Sequence, residues 1–153
     1  MLTLALRPAI GGGHGKNGGP ILGDIYDAWR AQDLDWLASY LPNDFCHVMH
    51  IPISVHPLGG ARKGKKLAIQ RWSQIVERYE ILRFDTTDLI IEWNRAAVEI
   101  PMHYRHRETG TVLETTTANF WTMDDGWPVK LTEYYDVAKL QTFFGPLVPH
   151  AQA

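Results

Sequence analysis

Between Leu89 and Val137 the chain alternates β-rich runs with turn residues, and this stretch limits the possible folds more than any other. The runs are Leu89 to Glu92, Ala96 to His106, Thr111 to Met123 and Pro128 to Val137. Trp93-Asn94-Arg95, Glu108-Thr109-Gly110 and Asp124-Asp125-Gly126 separate them. Turn residues between such runs are the signature of hairpins, so a meandering antiparallel sheet is the expected centre of the molecule. The segments before it read as mainly helical and are able to cover one face of that sheet.

Pro20 suits a first helical turn, and Leu22, Ile25, Tyr26 and Trp29 recur at helical spacing, which predicts an amphipathic helix to about Ala31. Asp33 is placed to cap a second, short helix with Leu34, Leu37, Tyr40 and Leu41 on its apolar side, ended by Pro42-Asn43-Asp44. Phe45 to Val55 is the first strand candidate, with Pro52 marking an edge or bulge because proline cannot donate to a ladder. Pro57-Leu58-Gly59-Gly60 turns the chain. Ile69, Trp72, Ile75, Val76 and Tyr79 mark the apolar face of a third helix from Lys65 to about Tyr79, and Leu82 to Thr87 reads as extended. Asp136 can cap a last helix holding Leu140 and Phe143, stopped by Gly145-Pro146.

At 153 residues and 45% hydrophobic content the chain suits a single domain with a real core. The expected organisation is a flexible glycine-rich arm over 1–19, one domain over 20–145 and a short tail over 146–153. The arm is not read as a phosphate loop: no strand leads into Gly11 to Gly19, and Lys16 is followed by Asn17 where Ser or Thr is needed. A net charge of −2 gives no basic field for nucleic acid. The lone Cys46 excludes an internal disulfide, which with the lack of a membrane-length apolar run or a secretory leader points to a cytoplasmic protein without a membrane partner.

The order helix, short helix, strand, helix, long antiparallel meander resembles the nuclear-transport-factor-2-like superfamily. The resemblance is carried by Ala31-Gln32-Asp33-Leu34-Asp35, Leu41-Pro42-Asn43-Asp44-Phe45, Gly60-Ala61-Arg62-Lys63-Gly64, Asp125-Gly126 and Glu133-Tyr134-Tyr135-Asp136, spanning about residues 20 to 145. It implies an α+β fold in which a cone-shaped curved antiparallel sheet, a cystatin-like α+β barrel, packs against about three N-terminal helices and encloses a pocket. The outer sheet face commonly makes a homodimer. The register carried over from the family turns Val98, Ile100, Met102, Tyr104, Leu131, Glu133 and Tyr135 inward, and Trp29 and Trp72 close the helical side. It puts Tyr26, Met49, Ala118 and Phe120 in the pocket as well, and Asn119 and Trp121 on the outer face.

The resemblance also tests for steroid isomerase chemistry, which needs a tyrosine on the first helix, an aspartate on the first strand and a second carboxylic acid on the penultimate long strand. Ile25, Met49 and Ala118 stand at the nearest positions, so that enzyme is disfavoured. No match to the Asp, Arg, Asp constellation of limonene-epoxide-hydrolase-like members appears. The SnoaL-like group remains, in which an aspartate near the end of the final strand is acid or base, and Asp136 lies near that place or acts only as a cap.

Glu133 is the sharpest candidate. Among Leu131, Tyr135, Met102 and Tyr104 it is either a carboxylate for proton transfer or a rim group satisfied by Tyr hydroxyl or Arg guanidinium groups. His47 is placed inward, as a wall residue or as its acid/base partner. Tyr104 and Tyr135 are candidate donors to developing negative charge. The histidines do not converge, so neither a metal nor a cofactor is expected. The expected ligand is a small hydrophobic molecule with a carbonyl or hydroxyl, the reaction an isomerisation, cyclisation, dehydration or hydrolysis; the alternative is a binding or assembly domain of the same fold.

Overall fold

A computed structural model describes residues 19–146; the glycine-rich arm and most of the tail lie outside the described residues. Chain order is α1 (Gly19–Arg30), α2 (Leu34–Ala38), β1 (Cys46–His50), β2 (Gly60–Lys63), α3 (Lys65–Arg78), β3 (Tyr79–Phe84), β4 (Thr87–Glu92), β5 (Arg95–His106), β6 (Val112–Asp124), β7 (Trp127–Tyr134) and α4 (Val137–Phe144). The strands form one curved, unclosed seven-stranded sheet in the order β2-β1-β7-β6-β5-β3, with β4 also on β5.

Local chemistry sets most boundaries. α1 ends with Gln32 in the left-handed region (φ 55), its N–H bonded to the Trp29 carbonyl and that of Asp33 to Ala28, a Schellman closure without glycine. Asp33 then caps α2 by accepting from the Trp36 N–H at 2.9 Å. The β6–β7 turn is Asp125-Gly126, both at positive φ (49 and 81), as a tight hairpin turn requires.

The sheet departs from the expected meander at its N-terminal strands. β1 stops at His50, short of Pro52, and pairs parallel with β7, so the sheet is mixed. Gly60 to Lys63, expected as turn and approach to α3, forms β2 against β1. β3 starts directly at the end of α3 and takes one end of β5 while β4 takes the other.

Aromatic side chains join helices to sheet. Tyr26 of α1 meets Trp121 of β6 edge-on at 6.0 Å, and Trp72 of α3 packs on Trp29, Phe45 and the His47 ring. The approach of the His56 loop to Ile51 is so close that a Cβ on Gly59 would lie 2.0 Å from the Ile51 carbonyl oxygen. Gly59→Ala therefore forces backbone apart next to the site. The expected loss is more than about 2 kcal/mol, read as a lower urea midpoint, because main chain cannot swing aside as a side chain can.

Candidate functional site

Side chains alternate across a strand, so the inner face of β5 carries Ala96, Val98, Ile100, Met102 and Tyr104, all buried. β6 pairs with it Ala96 to Trp121, Val98 to Asn119, Ile100 to Thr117 and Met102 to Thr115. Directly paired residues share a face. The inner face of β6 is therefore Thr117, Asn119 and Trp121, each at most 2% exposed, while Phe120 is 39% exposed on the outside. This corrects the sequence expectation for Ala118, Phe120, Asn119 and Trp121, which was one residue out. The cause is the β5–β6 connection, whose length sets the parity of every pair beyond it.

The inner face and the helices enclose a cavity of about 90 Å³ with a predominantly apolar and aromatic wall. Tyr26, Trp29, Met49, Trp72, Met102 and Leu131 line it as expected places for the pocket, together with Tyr104, Glu133 and Tyr135. Ile100 is buried in the core away from the lining. Ala118 and Phe120 face outward, and Asp136 is spent as the cap of α4, its carboxylate accepting from the Lys139 N–H at 3.1 Å. His47 also stands outside the lining, wholly buried behind Glu133.

The register of β1 on β7 sets Met49 opposite Glu133 and His47 opposite Leu131, so His47 and Glu133 are diagonal neighbours on one face. Their side chains meet, His47 Nε2 to Glu133 Oε2 at 2.7 Å, and the Tyr135 hydroxyl donates to the same oxygen at 2.9 Å. On the far side of the imidazole, Arg71 Nη1 donates to His47 Nδ1 at 3.2 Å. A guanidinium has no acceptor, so Nδ1 must carry the lone pair and Nε2 the proton given to Glu133. Arg71, His47 and Glu133 thus form a chain from the interior to the cavity. Both bonds fall on Oε2, and Oε1 makes no hydrogen bond among the described residues.

Arg71 was not picked out from the sequence. It is 2% exposed, its Nη2 donates to the Gly60 carbonyl at 2.8 Å, and no carboxylate among the described residues touches it directly. Burial, reinforced by Arg62, pulls its guanidinium down to about 10, and the charge of Glu133 opposes that fall. The available signal was its place on α3, where Ala68, Arg71 and Trp72 share the buried helical stripe.

The tyrosines divide their roles by proton. Tyr135 holds the carboxylate, whereas Tyr104 accepts from Trp29 Nε1 at 3.0 Å and keeps its own O–H to give. Tyr26 accepts from Trp121 Nε1 at 2.8 Å and from Asn119 Nδ2 at 3.0 Å. Burial, first among the causes, raises the pKa of all three, and the nearby Glu133 charge adds to it. They stay protonated donors through the neutral range.

This has a consequence for alkaline stability. The tyrosines' folded pKa values lie above the ordinary 10.0, so the stability they lend is complete below about pH 10 and is lost as pH rises beyond it. Arg71 acts oppositely, since its value of about 10 lies below the ordinary 12.5 and the cost of its buried charge is relieved over the same window. Three groups outweigh one. Urea midpoints should fall on going above about pH 10, and Tyr135→Phe should flatten that fall.

Among the described residues no three His, Cys, Asp or Glu side chains gather to hold a metal ion. The model of the SnoaL-like domain matches residues 22–134, most of the chain. The chain belongs to the SnoaL-like domain family. Among solved structures, an NTF2-like protein of unknown function from Burkholderia pseudomallei K96243 superposes with a TM-score of 0.75 at 18% identity, over 83% of this chain and 96% of the other. An NTF2-like protein from Burkholderia xenovorans LB400 gives 0.73 at 18%, over 84% and 95%. A protein of ketosteroid isomerase-like fold from Catenulispora acidiphila DSM 44928, in complex with trimethylamine, gives 0.69 at 13%, over 82% and 92%. A comparison with curated proteins finds no match. At these identities the solved structures establish the fold alone, and the SnoaL-like cone is what this chain shares with them.

Proposed function

We propose that this SnoaL-like protein is a cofactor-independent enzyme that moves a proton on a compact hydrophobic compound bearing a carbonyl or hydroxyl. One observation carries the reading: the Glu133 side chain, 12% exposed, faces an apolar cavity while His47 and Tyr135 fix its second oxygen. A carboxylate so oriented is preorganised to take a proton through Oε1. Tyr104 supplies an O–H for the oxygen on which negative charge develops. The reaction class is isomerisation, cyclisation, dehydration or hydrolysis, since each needs a positioned base, a donor and a shaped cavity.

His47 serves as a positioning residue and Asp136 as a cap. A wall of aromatic rings around about 90 Å³ favours ligands smaller than the few hundred Å³ of common pockets. Steroid isomerase design remains disfavoured, because β1 offers Met49 and no aspartate to the cavity, and the inward residue on β6 is the amide Asn119.

The outer face carries Phe120 packed edge-on against Tyr134, itself stacked on His50, and we assign this exposed aromatic cluster to a homodimer interface. Sedimentation velocity reads the oligomeric state. No described helix is long and apolar enough to cross a membrane, and a lone, half-buried Cys46 suits the reducing cytoplasm to which we assign the protein.

The test is proton exchange followed by NMR in D2O, using small cyclic ketones and hydroxyketones. Enzyme-dependent loss of an α-proton signal is the expected outcome for members of the panel. Saturable binding with no exchange for any of them supports the alternative, a binding domain.

A further inference from the structure

Three buried polar side-chain atoms make no hydrogen bond among the described residues: Arg71 Nε, Thr115 Oγ1 and Asn119 Oδ1. Only Asn119 lines the cavity. Its side chain is fixed, because Nδ2 donates to the Tyr26 hydroxyl at 3.0 Å and the residue is 1% exposed. Leaving a buried carbonyl oxygen unpaired is costly, and such an atom in a native fold calls for a partner. Asn119 is also the direct pairing partner of Glu133 across β6 and β7, so the two side chains stand beside each other on the inner face.

We infer that Asn119 Oδ1 is a ligand-recognition group, and that the cavity takes a compact alcohol or enol whose hydroxyl donates to it beside Glu133. An amide oxygen only accepts, so it selects a ligand with an O–H over a ketone, an ether or a hydrocarbon. The aromatic wall makes a neutral hydroxyl cheaper to desolvate than an ammonium. Tyr26 completes the subsite. Its oxygen already takes two N–H bonds, so its own proton is available to the ligand oxygen that donates to Asn119. A site of this kind rejects the analogue that leaves its acceptor unpaired. The inference deepens the proposed function by naming the ligand class, and rests on it only in taking this cavity as the ligand site.

The test titrates the full chain with cyclohexanol and cyclohexanone, which share a carbon skeleton and differ in the donor, following amide signals by NMR. Cyclohexanol should bind roughly tenfold more tightly, and it alone should shift the Asn119 side-chain amide signals, a readout that needs no variant. Asn119→Leu should abolish the preference and leave cyclohexanone binding in place. Cyclohexanone binding as tightly or more tightly, or absence of cyclohexanol binding, overturns the inference. So does a preference that survives Asn119→Leu, since the hydroxyl would then sit elsewhere. Should proton exchange fail for every ketone while this preference stands, the catalytic reading falls and the subsite remains.

Discussion

Glu133→Gln should slow the exchange of substrate protons by about a hundred- to ten-thousand-fold, the range a positioned general base contributes, with KM little changed. The substitution keeps the shape of the side chain, and the amide oxygen still accepts from His47 Nε2 and the Tyr135 hydroxyl, which meet the carboxylate at 2.7 and 2.9 Å. What disappears is the basic oxygen facing the cavity. A kcat that collapses while the circular dichroism spectrum and urea midpoint hold is the expected pattern. An unchanged rate would remove Glu133 from the chemistry.

The second large effect concerns stability. Trp121→Ala should cost about 3–5 kcal/mol, the range for deleting a buried large aromatic, whereas Phe120→Ala should cost under about 1 kcal/mol. Trp121 is 1% exposed, packs on Tyr26 and Phe45, and donates its indole N–H to the Tyr26 hydroxyl. Phe120 is 39% exposed and meets Tyr134 on the outer face. Urea denaturation of the two variants separates the observed register from the slipped one, which predicts the reverse order. The Trp121 variant also loses one of the two donors to Tyr26, so binding in the cavity should weaken with it.

These two residues show where sequence reasoning reaches its limit. The β4-to-β7 meander was legible because its turns announce themselves: Gly110 and Asp125-Gly126 adopt positive φ, which few other residues accept. The helices were legible because their apolar residues recur at helical spacing and Asp33 and Asp136 cap as expected. The parallel pairing of β1 with β7 was not. It joins segments more than eighty residues apart, and nothing local in Cys46 to His50 specifies a parallel neighbour.

The site was legible in part for the same reason. Glu133, Tyr104 and Tyr135 follow from alternation along single strands once the register carried over from the family resemblance says which side is inward. Asn119 needed the parity of the β5–β6 connection, and one residue of slip exchanged it with Ala118 and Phe120. His47 was placed correctly on the inner side of β1, but its position behind Glu133 depends on the diagonal contact that the β1–β7 ladder creates. Arg71 was hidden because an arginine on a helix is read as solvated, and only packing against Gly60 and His47 shows its burial.

The protonation of the His47 ring reports most directly on the chain from Arg71 through His47 to Glu133. Long-range proton–nitrogen correlation NMR of selectively labelled protein at neutral pH, with His47→Gln to assign the signal, distinguishes the two ring nitrogens. The expected result is a proton on Nε2 and a bare Nδ1, a pattern lost in Arg71→Met. A proton on Nδ1, alone or together with Nε2, would contradict the donation from Arg71 and with it the relay that orients the Glu133 carboxylate.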